Sequence, residues 1–455
     1  MNINYHAVQS SSPDTDRSPC PTPGTPVAAT PPSSKASPAR IGLAVRIVAA
    51  MLAVVLLAGC TVTTATTKPT GAQILGAGSE LTAKTVDPGA LAEAIKKTFL
   101  TDVPVSRLDP VIVDALAVAS QPLTPEQNRL FEQCIEQNSC DTGRGSLTVG
   151  LALEGNNSWT NIFRGEATAQ AIASPQVARI IYSNGNSNIA TVLANLRSMI
   201  TQQVDIIVTD PVFGPTVLPV LEKAKRAGIT VVSVNTPLPE SAASSLSTQI
   251  PNSLCALYTD GAQKLVDALG PNNTYALYTG LPGNSNAAEW QPCAKKVLDG
   301  AGWTQVVEGF TQWTSQGEAQ EANSLVASGK NPTAILYDYS VDDFLKPYVA
   351  KRSTPPAMMT DAANHSWFAA LREADAAGVE VKSWLASGHV WFGRFGVTAA
   401  IKIRQGEQLA DTIPVHIPTV PTTSILDATS PAIPAAVPIS SLLTPEQLTW
   451  ALAAA

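Results

Sequence analysis

The sequence predicts an α/β protein made of two similar lobes, each built on a parallel sheet, with a small helical segment ahead of them. Three observations carry this. From residue 147 to 235 short strand patterns alternate regularly with amphipathic helix patterns. Strands alternating with helices in this way give a parallel sheet with right-handed crossovers. The strand runs, such as Leu147-Thr-Val-Gly-Leu-Ala-Leu153, are continuously apolar, as strands covered on both faces must be. The alternation then resumes from residue 275 to 417, adding more strands than one small sheet holds.

Bulk properties set the frame. The chain has 455 residues, of which 45% are hydrophobic and 14% charged, so it can bury large cores in about two to three domains. A formal net charge of −7 gives no general attraction to nucleic acid or to anionic lipid. Residues 1–40 are rich in Ser, Pro and Thr and are expected to form a disordered tail. Arg40 and Arg46 then flank the start of an apolar run that ends Leu57-Ala-Gly-Cys60. About 12 apolar residues are too few to span roughly 30 Å of hydrocarbon, so residues 41–60 read as a signal peptide. Its ending resembles a bacterial lipobox, whose Cys is lipid-modified (palmitate) and becomes the mature N-terminus; Cys60 is the expected lipidation site. A start downstream of Met1 would give that signal an ordinary length. Residues 61–70, rich in Thr, read as a tether to the membrane.

Residues 71–146 form the helical N-terminal extension. Helices are expected over residues 91–99 and 111–119, and Thr124-Pro-Glu-Gln127 has the form of a capping box with Pro at the first helical position. The same four residues recur at Thr444-Pro-Glu-Gln447, a second independent helix start in the expected C-terminal tail, residues 431–455. Six cysteines are present, four of them in the body of the chain. In an exported chain an even number points to disulfides. Pairing by proximity gives Cys134–Cys140 and Cys255–Cys293, one of three arrangements; no His stands at ligand spacing for a metal site instead.

In the first lobe, strands are expected at residues 147–153, 180–182, 205–208 and 230–234, with helices from Trp159, over 189–200 and over 217–227. In the second half, strands are expected at 275–278, 303–307, 333–337, 357–360, 380–385 and 413–417. The helices between them run through Trp290, over 318–327, around 344–349, over 367–377 and over 392–404. Ligands of parallel sheets sit beyond the carboxyl ends of the strands. The loops at 154–159, 210–215 and 235–239 therefore come first as binding loops.

Residues 147–425, about three-fifths of the chain, resemble the type I periplasmic binding proteins, the sugar-binding lipoproteins of ABC importers. The resemblance rests on residues 151–165 (a first strand and an Asn-Asn/aromatic loop before a helix), 199–211 with 224–235, the Gly turn at 279–289, Met358-Met-Thr-Asp361 and the helix at 396–406. It implies two Rossmann-like lobes joined by three hinge crossovers near residues 249–252, 387–390 and 412–414. Lobe 1 would be residues 147–250 plus 390–412, and lobe 2 residues 251–388 plus 413–430.

The resemblance also implies the site. Trp159 and Asn157 match an aromatic and an Asn that contact the sugar. This suits a ligand with C–H faces for an indole and hydroxyls for an amide. Asn235 ends a strand where the family often has Asp followed by Arg; here Thr236 and Pro237 follow. Asn284 and Trp290 lie where the family commonly has another Arg, and Tyr339, with Asp338 as its alternative, stands at a strand end usually occupied by Asn. Asp361 is the lone carboxylate at its strand end, able to accept two charge-assisted bonds from hydroxyls. His389 falls at the second crossover. Each has a purely structural alternative: a core role for the Trp residues, a turn for Asn235, an N-cap for Asp361, hinge packing for His389. Loss of both Arg, with Trp159, Trp290, Trp391 and Tyr339 present, suggests a less polar or larger ligand than a free pentose.

The expected function is therefore an extracytoplasmic, membrane-anchored binding lipoprotein, monomeric, with a sugar or polyol as ligand and an ABC permease as partner. A sensory lipoprotein on the same fold is the alternative. No cofactor, metal or nucleic acid is expected. An enzyme is not expected either, because the chain has no Gly-x-Ser-x-Gly, His-Glu-x-x-His or P-loop pattern.

Overall fold

The structure, a computed structural model, describes residues 84–155, 157–362, 364–425 and 433–453. The expected tail, signal peptide, Cys60 and tether lie outside the described residues. No described helix is long and apolar enough to cross a membrane.

The described chain begins with three helices, α1 (Pro88–Phe99), α2 (Pro110–Ala119) and α3 (Pro125–Gln137). Each has Pro in its first turn, where the missing N–H costs nothing, behind an Asp or Thr cap. The capping box at Thr124 is present in full: Gln127 N–H donates to Thr124 Oγ1 (3.2 Å) and Thr124 N–H to Gln127 Oε1 (2.9 Å).

Lobe 1 follows as β1 (Ser139–Asp141), β2 (Leu147–Leu153), α4 (Ser158–Ala173), β3 (Val177–Asn184), α5 (Ile189–Thr201), β4 (Ile206–Asp210), α6 (Leu218–Arg226), β5 (Thr230–Asn235) and β6 (Thr248–Pro251). Its six-stranded sheet has the order β1-β3-β2-β4-β5-β6, parallel except for β1. Lobe 2 comprises α7 (Leu254–Leu269), β7 (Thr274–Thr279), α8 (Ser285–Gly300), β8 (Thr304–Phe310), α9 (Ser315–Ser328), β9 (Ala334–Tyr337), α10 (Asp342–Lys351), β10 (Ala357–Thr360), α11 (His365–Ala376) and β11 (Ser383–Leu385). The chain then returns to lobe 1 with α12 (Phe392–Arg404), which packs against α4 and β5, and crosses back to end the second sheet with β12 (Val420–Pro421). That sheet has the order β12-β11-β10-β9-β7-β8, parallel except for β12.

Two disulfides are formed. Cys134–Cys140 closes the end of α3 onto β1, with Cα atoms 5.0 Å apart, and Cys255–Cys293 ties α7 to α8 at 5.3 Å.

Two expectations need correction. Residues 413–417 are not a strand of lobe 2. Thr412 and Val415 make isolated bridges to Gln249 and Asn252 at the edge of lobe 1, and Pro414 and Pro418 withhold the N–H groups that a continuous ladder needs. The strand expected at 380–385 is confined to Ser383–Leu385. The C-terminal segment is tied to both lobes. His365 N–H and Ser366 N–H donate to Val437 O (2.9 Å) and Ala435 O (2.8 Å) on lobe 2. The final helix, α13 (Pro445–Ala453), buries Leu448 and Ala451 against α3 and α4 on lobe 1. The two Thr-Pro-Glu-Gln helices thus lie side by side, joined by Gln447 Nε2 donating to Asn128 Oδ1 (2.7 Å).

Candidate functional site

Sheet register decides which side chains meet. In lobe 1, Leu153 at the end of β2 pairs with Asp210 at the end of β4, so Glu154 and Asp210 emerge together. In lobe 2, Tyr337 pairs with Tyr278 and Thr360, which brings Asp338 and Asp361 out at adjacent strand ends. The carboxyl ends of the two sheets face each other across a cavity whose water-accessible volume is about 60 Å³.

The lobes touch across this cleft. Asn157 Nδ2 donates to Trp313 O (3.3 Å), Ser158 Oγ lies 3.1 Å from Tyr339 Oη, and Ser285 N–H donates to Val212 O (3.2 Å). Both lobes therefore contribute to the walls of the cavity and meet beside it.

Of the residues singled out in the sequence, Asn157, Trp159, Asn235, Tyr339, Asp361 and His389 line the cavity. Asn157 also caps α4, its Oδ1 accepting from Thr160 N–H at 2.9 Å. Trp159 donates its indole N–H to Gly388 O (2.7 Å), which fixes the ring against His389, 5.6 Å between centroids. Asn235 adopts a positive φ of 61°, tolerated by Asn at a tight turn, and donates to Asp210 Oδ2 (3.2 Å) while its Oδ1 stays unpartnered. Asp361 is buried; its Oδ2 lies 3.4 Å from His389 Nε2 and its Oδ1 has no partner. The cap of α11 is Asn364, so Asp361 does not serve there.

Asn284 and Trp290 do not line the cavity. Asn284 caps α8 and donates to Thr279 Oγ1 (3.0 Å). Trp290 is fully buried, stacks on Tyr258 at 4.2 Å, and donates to Asp338 Oδ2 (2.9 Å), so it holds a wall residue instead of facing a ligand. Trp391 lies in the core with Phe99, Phe392 and Phe395.

Glu154 and Asp210, from two of the expected binding loops, line the cavity, as do Asn286 and Trp313, which were not singled out, and Asp338, the alternative to Tyr339. Trp313 follows β8, an edge strand whose Glu308 and exposed Phe310 break the apolar run, so sequence reasoning ended the strand several residues early. Continuing it to Phe310 would have put Trp313 just past a carboxyl end. Its ring lies over Gly280, where a Cβ would stand 2.0 Å from the indole, so glycine is required there.

Burial sets the charge behaviour of the walls. It pushes the Glu154 carboxyl up to about 8, against the opposing hydrogen bond from Phe213 N–H (2.7 Å) and with a further push from the charge of Asp210. Asp210 is raised by burial too, although Thr236 and Asn235 donate to it. Burial, then the neighbouring charge of Asp361, raises Asp338 to about 7, while Thr279, Trp290 and Trp313 donate to its two oxygens. Among the described residues no group of His, Cys, Asp and Glu is placed to hold a metal ion.

Comparison with known proteins agrees with this architecture. Residues 149–351 match the family model described as a periplasmic binding protein domain. A solute-binding protein of an ABC transporter from Bacillus halodurans C-125, with bound myo-inositol, has a TM-score of 0.54 at 14% identity, over 62% of this chain and 96% of that one. The arabinose ABC transporter component from Shewanella sp. ANA-3, bound to L-arabinofuranose, has 0.54 at 19%, over 62% and 93%. A solute-binding protein from Mycobacterium smegmatis with bound glycerol has 0.52 at 18%, over 61% and 95%. No curated protein sequence matches significantly. The chain thus has the type I periplasmic binding protein fold, with two α/β lobes and a helical segment before them.

Proposed function

We propose that this protein is the extracytoplasmic solute receptor of an ABC importer, closing its two lobes over a ligand of the sugar or polyol class and held at the membrane through Cys60. One observation carries the reading. The cavity presents unpartnered acceptors from both lobes, Glu154 Oε1 and Asn235 Oδ1 from one and Asp361 Oδ1 from the other, beside the rings of Trp159 and Trp313. Hydroxyls would satisfy the acceptors and C–H faces would stack on the rings. The solute-binding neighbours of the same fold, with myo-inositol, arabinofuranose and glycerol bound, support the ligand class. This function involves no catalytic step. The test is thermal-shift screening of the soluble part against sugars and polyols. A ligand at about 100 Kd stabilises by about 2.7 kcal/mol, so a binder stands out clearly. A complete absence of stabilisation across the panel would sink the proposal.

The lipid anchor is tested separately. Cys60→Ala should leave the precursor unprocessed or release the protein from membranes; unchanged processing and fractionation would remove the anchor from the proposal. A sensory role on the same fold is favoured by one observation, the helical extension packed on lobe 1, with Phe99 5.3 Å from Trp391 just past the second crossover. Such a helix pair would report hinge position to a partner.

A further inference from the structure

The charge balance of the cavity bears on which solute it takes. Four carboxylates line it, Glu154, Asp210, Asp338 and Asp361, and no Lys or Arg does among the described residues; His389 is the basic side chain present. Two of the four are fully engaged. Asp210 accepts from Thr236 and Asn235, and Asp338 from Thr279, Trp290 and Trp313. The other two each keep a buried oxygen with no donor, Glu154 Oε1 on lobe 1 and Asp361 Oδ1 on lobe 2. A hydroxyl satisfies an acceptor but leaves its charge uncompensated, and burying charge without a counter-charge is costly. An ammonium group supplies up to three donors and the charge together. The aromatic walls fit as well. The indole N–H groups of Trp159 and Trp313 are already spent on Gly388 O (2.7 Å) and Asp338 Oδ1 (2.8 Å), so what remains of each is ring surface, which attracts cations.

We infer that the ligand this cavity accepts carries a positive charge, as an amino sugar or another amine-bearing polyol does. This rests on the solute-receptor reading and narrows it. The raised carboxyls agree, because protons neutralise the walls when no cation does. Around Glu154 the facing groups are Asp210 and the Val212 and Phe213 N–H groups; around Asp338 they are Asp361, Thr279, Trp290 and Trp313; His389 faces Asp210 and Asp361. A cation entering near neutral pH should therefore expel protons, which a neutral sugar should not.

The experiment is titration calorimetry of the soluble protein with matched probes: glucosamine against glucose, galactosamine against galactose, N-acetylglucosamine as the neutral control, and choline as a cation without sugar character. Each is run in phosphate and in MOPS, whose different ionisation heats reveal released protons. The amine of a matched pair should bind at least about tenfold tighter than its hydroxyl analogue, with proton release, and Glu154→Gln and Asp361→Asn should each erase most of that preference. Equal or tighter binding of the neutral partner would overturn the inference and leave the solute-receptor function standing. Binding of choline without any sugar would support the charge and overturn the sugar class. No binding by any probe would count against both.

Discussion

The two lobes share one plan but bury their helices differently. In lobe 2, α9 buries Glu318, Ala322 and Leu325, one stripe of an otherwise exposed helix. In lobe 1, residues 160–172 of α4 are all buried, although Arg164, Glu166 and Gln170 are among them. The extension and the C-terminal segment cover that helix, and Arg164, Glu166 and Gln170 each make hydrogen bonds to the elements packed on it. Arg164 Nη2 donates to Cys134 O (3.0 Å) and Ile135 O (2.6 Å), carbonyls that the last turn of α3 leaves open. Gln170 Nε2 donates to Thr398 Oγ1 (2.9 Å) on α12. Glu166 accepts from Arg394, from Ser441 Oγ (2.7 Å) and from Leu442 N–H (2.7 Å), tying α4, α12 and the C-terminal segment at one carboxylate. Helices that flank a binding domain in sequence can thus be part of its core in space.

The largest effect should come from breaking that junction. Glu166→Ala strands the buried Arg394 guanidinium and should cost about 3–5 kcal/mol in urea unfolding. The equivalent change at exposed Glu308 of lobe 2 should cost almost nothing; equal losses would mean the covered helix is no more dependent on its polar ties. Next come the disulfides, one beside each lobe. Loop-closure entropy gives about 4 kcal/mol for Cys255–Cys293, with its separation of 38, and about 2 kcal/mol for Cys134–Cys140, with its separation of 6. Paired Cys→Ser variants compared by denaturant midpoint should keep that order.

The cavity walls contrast with the rest of lobe 1 in the opposite sense, since they are organised at the expense of the empty state. Glu154 ionises near 4.5 in the unfolded chain and near 8 in the folded one. The folded state therefore holds its proton longer, and empty-protein stability should fall as pH rises from about 4.5 to about 8 and level off above. Glu154→Gln should flatten that fall by a few kcal/mol at most. An unchanged pH profile would show that Glu154 is not the group responsible. The smallest change in stability belongs to Asp361→Ala, because its Oδ1 has no partner to lose. Unfolding of the empty protein should shift by less than about 1 kcal/mol. Ligand affinity should drop at least about tenfold, as it should for Trp159→Ala through lost stacking. Unfolding of empty Asp361→Ala would instead mark the residue as structural.

The sequence by itself determined the strand–helix alternation, the capping box at Thr124, the two-lobe plan and the strand-end positions of Asn235 and Asp361. Those signals are local: periodicity, cap chemistry and turn residues are written within a few positions of each other. What the tertiary structure decided was which residues face one another. Asn284 and Trp290 stand at the right helix start, yet the rotation of α8 turns them into the wall's support and brings Asn286 to the cavity. Trp313 was hidden because an edge strand is half exposed and loses its apolar signature. Residues 413–417 look like a strand but meet prolines and the edge of lobe 1. Burial of Glu166, Arg164 and Gln170 was illegible for the same reason: their partners lie on segments distant in sequence, and hydrogen bonds at such separations leave no periodic trace along the chain.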